Sequence, residues 1–332
     1  LTAVASAILD NVTTILLAVP MTLVVCKQLN VSPIPFILSQ VFASNIGGAS
    51  TLVGDPPNII IASRANLSFN DFLVHMAPWV IVVMMVITPM LVFMFRKELV
   101  NTAADRARID KLDENSYLKD KVLLKKSLFV LGAVMIAFVL HTALHLEPSI
   151  VAMLGAGVLV GISRLKPKDY AMDVEWATLV FFAGLFMIVG GVEHSGLLNL
   201  IGSKLSKMAS DPERLLMTCI MLMWVAAFAS AIVDNIPFTV TMIPIVQGLE
   251  SQGINVFPLW WALAIGVGLG GNGSHIGATA NVICVAESEK SGIPEARITP
   301  LLWIKKGMPI MLFSLIVASM VYIAAFDYFR MP

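Results

Sequence analysis

Charged residues are scarce in this sequence. Only 13% of the 332 residues are Asp, Glu, Lys or Arg, whereas soluble domains carry roughly a quarter, so an ordinary water-soluble enzyme is excluded. The 22 basic residues balance the 22 acidic ones, and no basic surface indicates nucleic acid as a partner. The three cysteines, Cys26, Cys219 and Cys284, are too widely spaced for a disulfide framework or a zinc site.

Phosphate-binding and catalytic motifs are also missing. The sequence contains no glycine-rich loop ending in Gly-Lys-Ser or Gly-Lys-Thr, so hydrolysis of a nucleotide by this chain is not expected. No nucleophile and base, and no set of metal ligands, stand at a recognisable spacing. We therefore expect neither an enzyme nor a resident cofactor.

Apolar residues are abundant instead. They make up 58% of the chain, and the mean hydropathy is +0.85. A helix needs about 20 apolar residues to cross the hydrocarbon region of a membrane. The sequence thus predicts an all-α polytopic membrane protein. Simple spans are predicted at residues 76–95, 127–145, 149–163, 176–193 and 308–328.

Polar residues interrupt four further apolar regions, at residues 1–27, 35–63, 212–249 and 258–286. The first and third are interrupted by Asp-Asn pairs, Asp10-Asn11 and Asp234-Asn235, and we predict that each is a re-entrant helical hairpin. The second and fourth have centres rich in Gly, Ser, Thr and Asn. These two are predicted to be broken transmembrane helices, since such residues favour local unwinding.

The charge distribution predicts an orientation in the cell (plasma) inner membrane. Loops rich in Lys and Arg stay in the cytoplasm, and the polar segment 96–126 carries nine basic residues. If this connector is cytoplasmic and both hairpins return to their own side, seventeen of the 22 basic residues lie on the cytoplasmic side. This arrangement favours re-entrant hairpins over full crossings.

The interrupted regions form an internal repeat. Residues 6–11 recur at 230–235, and residues 47–54 recur at 270–277 in the same order. Because the two hairpins are predicted to open to opposite sides, the copies would be inverted, as in many secondary transporters. We assign 1–95 to the first repeat and 127–332 to the second.

The second repeat has three predicted spans before its hairpin, whereas the first begins almost inside its hairpin. We therefore expect that the N-terminal part of the first repeat, on the order of a hundred residues, is missing from this sequence.

The candidate site combines the hairpin tips with the broken helices. An ionisable group at membrane depth is costly and indicates function, which singles out Asp10 and Asp234 as positions for Na⁺ or a proton. The alternative is that these residues only cap half-helices. The candidate substrate- and ion-binding residues are Asp10, Asn11, Thr13, Ser50, Thr51, Asp55, Asn58, Asp234, Asn235, Asn272, Ser274, Thr279 and Asn281.

Glycine has two interpretations in this sequence. Adjacent glycines at 47–48 and 270–271 would allow the chain to unwind near the site. Glycines elsewhere are explained by close helix packing. This second group comprises Gly155, Gly157, Gly161, Gly266 and Gly268.

The motifs resemble those of the ArsB/NhaD permeases in the ion transporter superfamily, and most closely the melanosomal P-protein and arsenical-pump branch. The likeness covers nearly the whole chain, and it rests on both Asp-Asn tips and on residues 45–58, 174–179 and 270–278. It implies one site for a small ion between two hairpins and two broken helices, with H⁺ or Na⁺ as the coupling ion. It is also compatible with a homodimer.

Substrate alternatives stay open at this point. The resemblance implies arsenite or antimonite efflux, or Na⁺/H⁺ antiport. The related dicarboxylate branch has Ser-Asn-Thr at its hairpin tips, whereas this sequence has Asp-Asn, which favours cation coupling. A citrate or dicarboxylate carrier is the alternative. A channel is a third candidate, because pores also contain polar broken helices.

The predicted topology can be tested by labelling. Single cysteines at Gln28 and Glu250, introduced after replacement of the native cysteines, are expected to react with a membrane-impermeant maleimide from opposite sides of the membrane. A cysteine at Asn115, in the connector, serves as the cytoplasmic reference. Labelling of positions 28 and 250 from the same side would contradict the inverted arrangement.

Overall fold

The structure, a computed structural model, describes residues 1–98, 120–163 and 214–331, with scattered positions between 166 and 211. Across these residues the regular secondary structure is helical, and the predicted all-α class is confirmed. The helices are α1 (Thr2–Leu9), α2 (Asn11–Leu29), α3 (Ile34–Gly48), α4 (Pro56–Ala65), α5 (Phe69–Phe95), α6 (Lys121–Leu144), α7 (Pro148–Ser163), α8 (Leu215–Ile232), α9 (Asn235–Glu250), α10 (Phe257–Gly270), α11 (Thr279–Lys290), α12 (Pro300–Ala324) and α13 (Phe326–Phe329).

Several helices are suited to a membrane. In the described ranges, α2, α5, α6, α8 and α12 are long and apolar enough to cross one. Three of these, α5, α6 and α12, overlap predicted simple spans, and α7 matches the predicted span 149–163. The predicted span 176–193 lies largely outside the described residues. Helices α2 and α8 belong to the two predicted hairpins, whose re-entrant course stays a prediction.

Helix boundaries differ from the sequence prediction where caps decide them. The connector was expected to end at residue 126, but α6 begins at Lys121. Asp120 explains the difference, because its side chain accepts hydrogen bonds from the amides of Val122 (2.9 Å) and Leu123 (2.8 Å). Helix α12 begins at Pro300 rather than near 308, after a similar cap by Thr299. Capping satisfies amide groups that hydropathy does not register.

The helices are interrupted in each of the four polar regions. Asp10 separates α1 from α2 with a left-handed φ of 71°, and an extended Val233 separates α8 from α9. Residues 49–55 separate α3 from α4, and residues 271–278 separate α10 from α11. Pro56 and Pro57 then occupy the first turn of α4, where a missing amide proton costs little.

The chain forms two compact units. The larger holds α1–α4, most of α5 and α8–α13, and the smaller holds α6 and α7. In the larger unit, α1 packs on α3 and α8 packs on α10, while α2 packs on α11 and α9 on α4. These pairs occupy equivalent positions of the sequence repeat. In the smaller unit α6 packs against α7, and Phe69 stacks on Phe138 at 5.5 Å.

Glycine permits backbone contact within these pairs. A Cβ atom at Gly47 would overlap the backbone of Ala3, and one at Gly270 would overlap the backbone of Ala227. Gly266 similarly faces the carbonyl of Met223, so close packing explains it. Gly157 has no described atom near its missing Cβ. Gly47 and Gly270 therefore set how closely α1 approaches α3 and α8 approaches α10.

Alanine at either of these contacts should separate the paired helices. We expect Gly47→Ala and Gly270→Ala each to lower the melting temperature by several degrees, because overpacking typically costs about 1–3 kcal/mol. Thermal unfolding of purified protein in detergent measures the effect. Gly248→Ala is the matched control, since a Cβ there meets open space. Equal melting temperatures for all three variants would contradict the contact.

Candidate functional site

The carboxylate of Asp55 lies at the centre of the candidate site. Asp55 stands in the break between α3 and α4 and is only 1% exposed. Its Oδ1 accepts hydrogen bonds from the side-chain amides of Asn11, at 3.0 Å, and Asn235, at 3.2 Å. The asparagines that follow Asp10 and Asp234 in the sequence thus donate to the same carboxylate oxygen.

Asn45 extends this cluster to the second broken helix. Its Oδ1 accepts a long hydrogen bond from Asn11 (3.4 Å). Its Nδ2 donates to Oδ1 of Asn272 (3.0 Å) and of Asn281 (2.9 Å). We call these side chains the central network; each is at least 98% buried, and its members are Asn11, Asn45, Asp55, Asn235, Asn272 and Asn281.

Backbone contacts hold Asn11 in place. Its amide donates to the carbonyl of Gly54 (3.0 Å), next to Asp55, and its carbonyl accepts from the Ser44 hydroxyl (3.3 Å). Hydrogen bonds to unwound backbone are required here, since buried carbonyls and amides need partners. The break between α1 and α2 is therefore fixed against the break between α3 and α4.

Matching hydrogen bonds stabilise the two halves. Ser6 donates to the carbonyl of Ser44 (2.8 Å), and Ser230 donates to that of Val267 (3.0 Å). The side-chain amide of Asn58 donates to the carbonyl of Thr51 at 2.9 Å. Asn281 makes the equivalent bond to Ser274 at 2.8 Å. The contacts follow the sequence repeat, while the inverted direction of the two copies stays a prediction.

Asp10 and Asp234 both act as helix caps. Asp10 accepts from the amide and the hydroxyl of Thr13, each at 2.8 Å. Asp234 accepts from the amide of Ile236 (3.0 Å) and from the hydroxyl of Thr279 (3.1 Å). Both aspartates are partly exposed and hold the first turns of α2 and α9.

Several predicted site residues stabilise the breaks rather than join the central network. Ser50 donates to the carbonyl of Gly47, and Thr51 donates to that of Ala7 at 2.6 Å. The hydroxyl of Ser274 accepts from the amide of Ile276 at 3.3 Å. Asn58 contacts the carbonyls of Ala49 and Thr51. These side chains replace the helical hydrogen bonds that the unwound segments lack.

The electrostatics around Asp55 favour a cation. Among the described residues, no Lys or Arg forms an ion pair with Asp55, and the charges acting on it come from Asp234 and Asp10. A buried carboxylate without an opposite charge is costly. The Oδ1 atoms of Asn11 and Asn235 are also buried, and no described residue donates a hydrogen bond to them. Carboxylate and amide oxygens are suitable ligands for a hard cation.

Asn45 was not among the predicted site residues, although it joins the two broken helices. The repeat could not reveal it, because the equivalent position is Gly268. Asp55 likewise corresponds to Ala278. The available signal was an amide side chain in an apolar helix, just before two glycines.

The broken apolar helices and their buried polar centre define a polytopic membrane protein of the transporter class. The chain belongs to the citrate transporter family CitMHS, which matches residues 1–266. This membership confirms the family-level resemblance seen in the sequence motifs.

Curated relatives agree with this assignment. The chain is 45% identical to a 46 kDa membrane protein of Mycobacterium leprae over 295 residues, or 88% of this chain and 68% of the relative. It is 47% identical to an uncharacterized transporter of Mycobacterium tuberculosis over 297 residues, with the same shares. It is 33% identical to the human P protein over 368 residues, or 87% of this chain and 44% of that protein.

Removing the amide of Asn45 should disconnect the central network. We expect Asn45→Ala to lower the melting temperature markedly, because it leaves the buried Oδ1 atoms of Asn272 and Asn281 with one donor fewer, at a cost of about 1–3 kcal/mol for each unsatisfied group. Asn255→Ala removes an exposed amide and should change stability less. Equal destabilisation by both substitutions would contradict a connecting role for Asn45.

Proposed function

We propose that this protein is a secondary active ion transporter of the ArsB/NhaD type, and that its coupling ion, H⁺ or Na⁺, binds at Asp55. The observation that carries the proposal is the burial of this carboxylate in contact with the asparagines of both Asp-Asn tips and, within the described ranges, without a basic partner. A site that requires a cation for neutrality, and that connects two helix breaks, is suited to coupled transport.

Binding of a proton or Na⁺ at Asp55 would change the hydrogen bonds of both Asp-Asn tips. With the carboxylate ionised, Asn11 and Asn235 donate to it and are held towards the centre. A proton on the carboxylate removes the charge that strengthens these bonds. A Na⁺ ion would instead attract the amide oxygens, which face the ion after a rotation of the amide groups. Binding of either cation therefore changes the contacts of both helix breaks at once.

Two substrates fit this cation site. In Na⁺/H⁺ antiport, one carboxylate binds either ion but not both, and this mutual exclusion itself produces exchange. In arsenite or antimonite efflux, the neutral hydroxide would be held by the amide and hydroxyl groups of the breaks, with H⁺ at Asp55. In both cases Asp10 and Asp234 place further negative charge near the coupling ion.

A citrate or dicarboxylate carrier is the second candidate. The family match favours it, and so does the arrangement of helix ends. Four helices, α2, α4, α9 and α11, begin at the breaks, and the N-terminal end of a helix favours an anion. The Nδ2 atom of Asn272 is buried without an acceptor among the described residues and is available to donate to a carboxylate.

We further propose that the protein lies in the inner (plasma) membrane with residues 96–126 in the cytoplasm. The excess of Lys and Arg in that segment supports this orientation. The partners would be the lipid bilayer and a small ion or anion.

Transport in proteoliposomes tests the proposal. Uptake and efflux of arsenite, Na⁺, Li⁺ and citrate by the full-length protein are compared with and without a pH gradient. We expect Asp55→Asn to abolish coupling, because the amide cannot bind a proton or a cation by charge. Asp10→Asn and Asp234→Asn should reduce coupling strongly but leave expression intact, since Asn caps a helix as well as Asp does.

Asp327→Asn is the matched control, because Asp327 lies at the surface in α13. It should transport like the unmodified protein. Coupled transport by Asp55→Asn at the unmodified rate would overturn the assignment of the coupling site. Flux that does not saturate and persists without a gradient would indicate a channel instead.

A further inference from the structure

We propose that α2 and α3 enclose a chain of water molecules that carries protons between Asp55 and the side of the membrane on which Lys27 lies. This inference rests on the proposed function, and it adds a route to the coupling site. No residue of the route other than Asn11 and Asp55 belongs to the predicted site.

One face of α2 is polar where it meets α3. Asn11, Thr14, Ala18 and Thr22 are spaced by three, four and four residues and therefore share a face. The two ends of this row contact side chains of α3. Asn11 donates to Asn45, and Thr22 accepts from the amide of Gln40 at 2.8 Å.

Buried polar atoms along this row lack partners. Oδ1 of Asn11, Oγ1 of Thr14 and Oε1 of Gln40 are each buried and make no hydrogen bond to the part of the chain that the structure describes. Thr14 as a whole is 3% exposed. Unsatisfied buried groups of this kind are costly, and ordered water is the usual remedy. In the proposed route, water lies beside the small side chain of Ala18, between Thr14 and Thr22.

The length of the row matches a path from the site to a membrane surface. Eleven residues separate Asn11 from Thr22, which corresponds to about 16 Å along a helix. Half the hydrocarbon thickness is about 15 Å. If the α1–α2 break lies near mid-membrane, as the repeat predicts, Thr22 and Gln40 lie close to the interface. Both of these residues are partly exposed.

The second copy lacks such a route. The positions equivalent to Thr14, Ala18 and Thr22 are Phe238, Met242 and Val246 in α9, and the equivalents of Gln40 and Ser44 are Leu263 and Val267 in α10. All five are apolar. The threonines that α9 does carry, Thr239 and Thr241, donate to carbonyls of their own helix.

The route is therefore one-sided. A proton enters from hydronium near Thr22, passes along the waters by exchange of hydrogen bonds, and ends on the Asp55 carboxylate, which becomes neutral. Release is the reverse. The charges that act on Asp55, from Asp10 and Asp234, are negative and favour the arrival of the proton.

Three substitutions block the route at separate points. Thr14→Val and Gln40→Leu remove hydrogen-bonding groups, and Ala18→Met introduces the residue found in the second copy. Proton flux into proteoliposomes is measured with an internal pH-sensitive dye, and substrate counterflow is measured at equal pH on both sides. We expect each variant to slow proton flux about tenfold or more, which corresponds to a barrier about 1.4 kcal/mol higher, while counterflow is retained.

Matched controls separate this result from general damage. Thr14→Ser keeps the hydroxyl and should retain the flux. Thr241→Val removes a hydroxyl that donates to the Pro237 carbonyl in its own helix, and it should also retain the flux. Unchanged proton flux in Thr14→Val, Gln40→Leu and Ala18→Met would overturn the route, even if Asp55→Asn still abolishes coupling. Loss of substrate counterflow together with proton flux in these three variants would also overturn it. Transport by the unmodified protein that ignores pH would contradict the proton-coupled form of the proposed function itself.

An independent readout is the water itself. A high-resolution structure of the full-length protein is expected to show ordered water beside Oγ1 of Thr14 and Oε1 of Gln40. The Ala18→Met variant should lack it. Direct packing of apolar side chains against both atoms in the unmodified protein would contradict the route.

Discussion

The burial of one carboxylate in an apolar helical protein is the constraint on which the site depends. Asp55 is withdrawn from water, and its carboxylate accepts hydrogen bonds from the side-chain amides of Asn11 and Asn235. Its position requires an unwound segment, because a continuous α3–α4 helix could not include Pro56 and Pro57 in its interior. The unwound segment in turn requires Thr51, Asn58 and Ser50 to bind its free backbone groups. The fold of this region thus follows from the need to stabilise one polar centre.

The two halves are similar in scaffold and different in chemistry. Ser6 and Ser230, and Asn58 and Asn281, make equivalent hydrogen bonds, so the helix breaks are stabilised in the same way. Asn45 and Asp55, however, correspond to Gly268 and Ala278. A fully symmetric site would bring two acidic groups together, and their repulsion would raise the cost of burial. A single carboxylate avoids this repulsion. Gly268 packs closely beside it, because a Cβ atom there would lie 3.1 Å from the Cβ of Ala49 and 3.7 Å from Oδ2 of Asp55.

The sequence was informative wherever local chemistry decides the structure. Asp-Asn pairs and adjacent glycines predicted the interrupted regions, because each disrupts a helix by itself. Helix starts at Lys121 and Pro300 were missed, since they depend on caps rather than on hydropathy. Asn45 was missed for a different reason: its partners Asn272 and Asn281 lie more than two hundred residues away in the chain. A repeat search finds what two copies share, and the centre of this site is where they differ.

The presence of one carboxylate, at Asp55 in the first copy, affects the recognition of both cations and anions. The N-terminal ends of four helices at the breaks favour negative charge, and Asp55 supplies one such charge within the protein. If a cation neutralised this carboxylate, the positive helix ends would no longer be compensated, and the site would become favourable for an external anion. Coupling between cation and substrate would then follow from charge balance alone, without direct contact between them, and it would be lost with the Asp55 carboxylate.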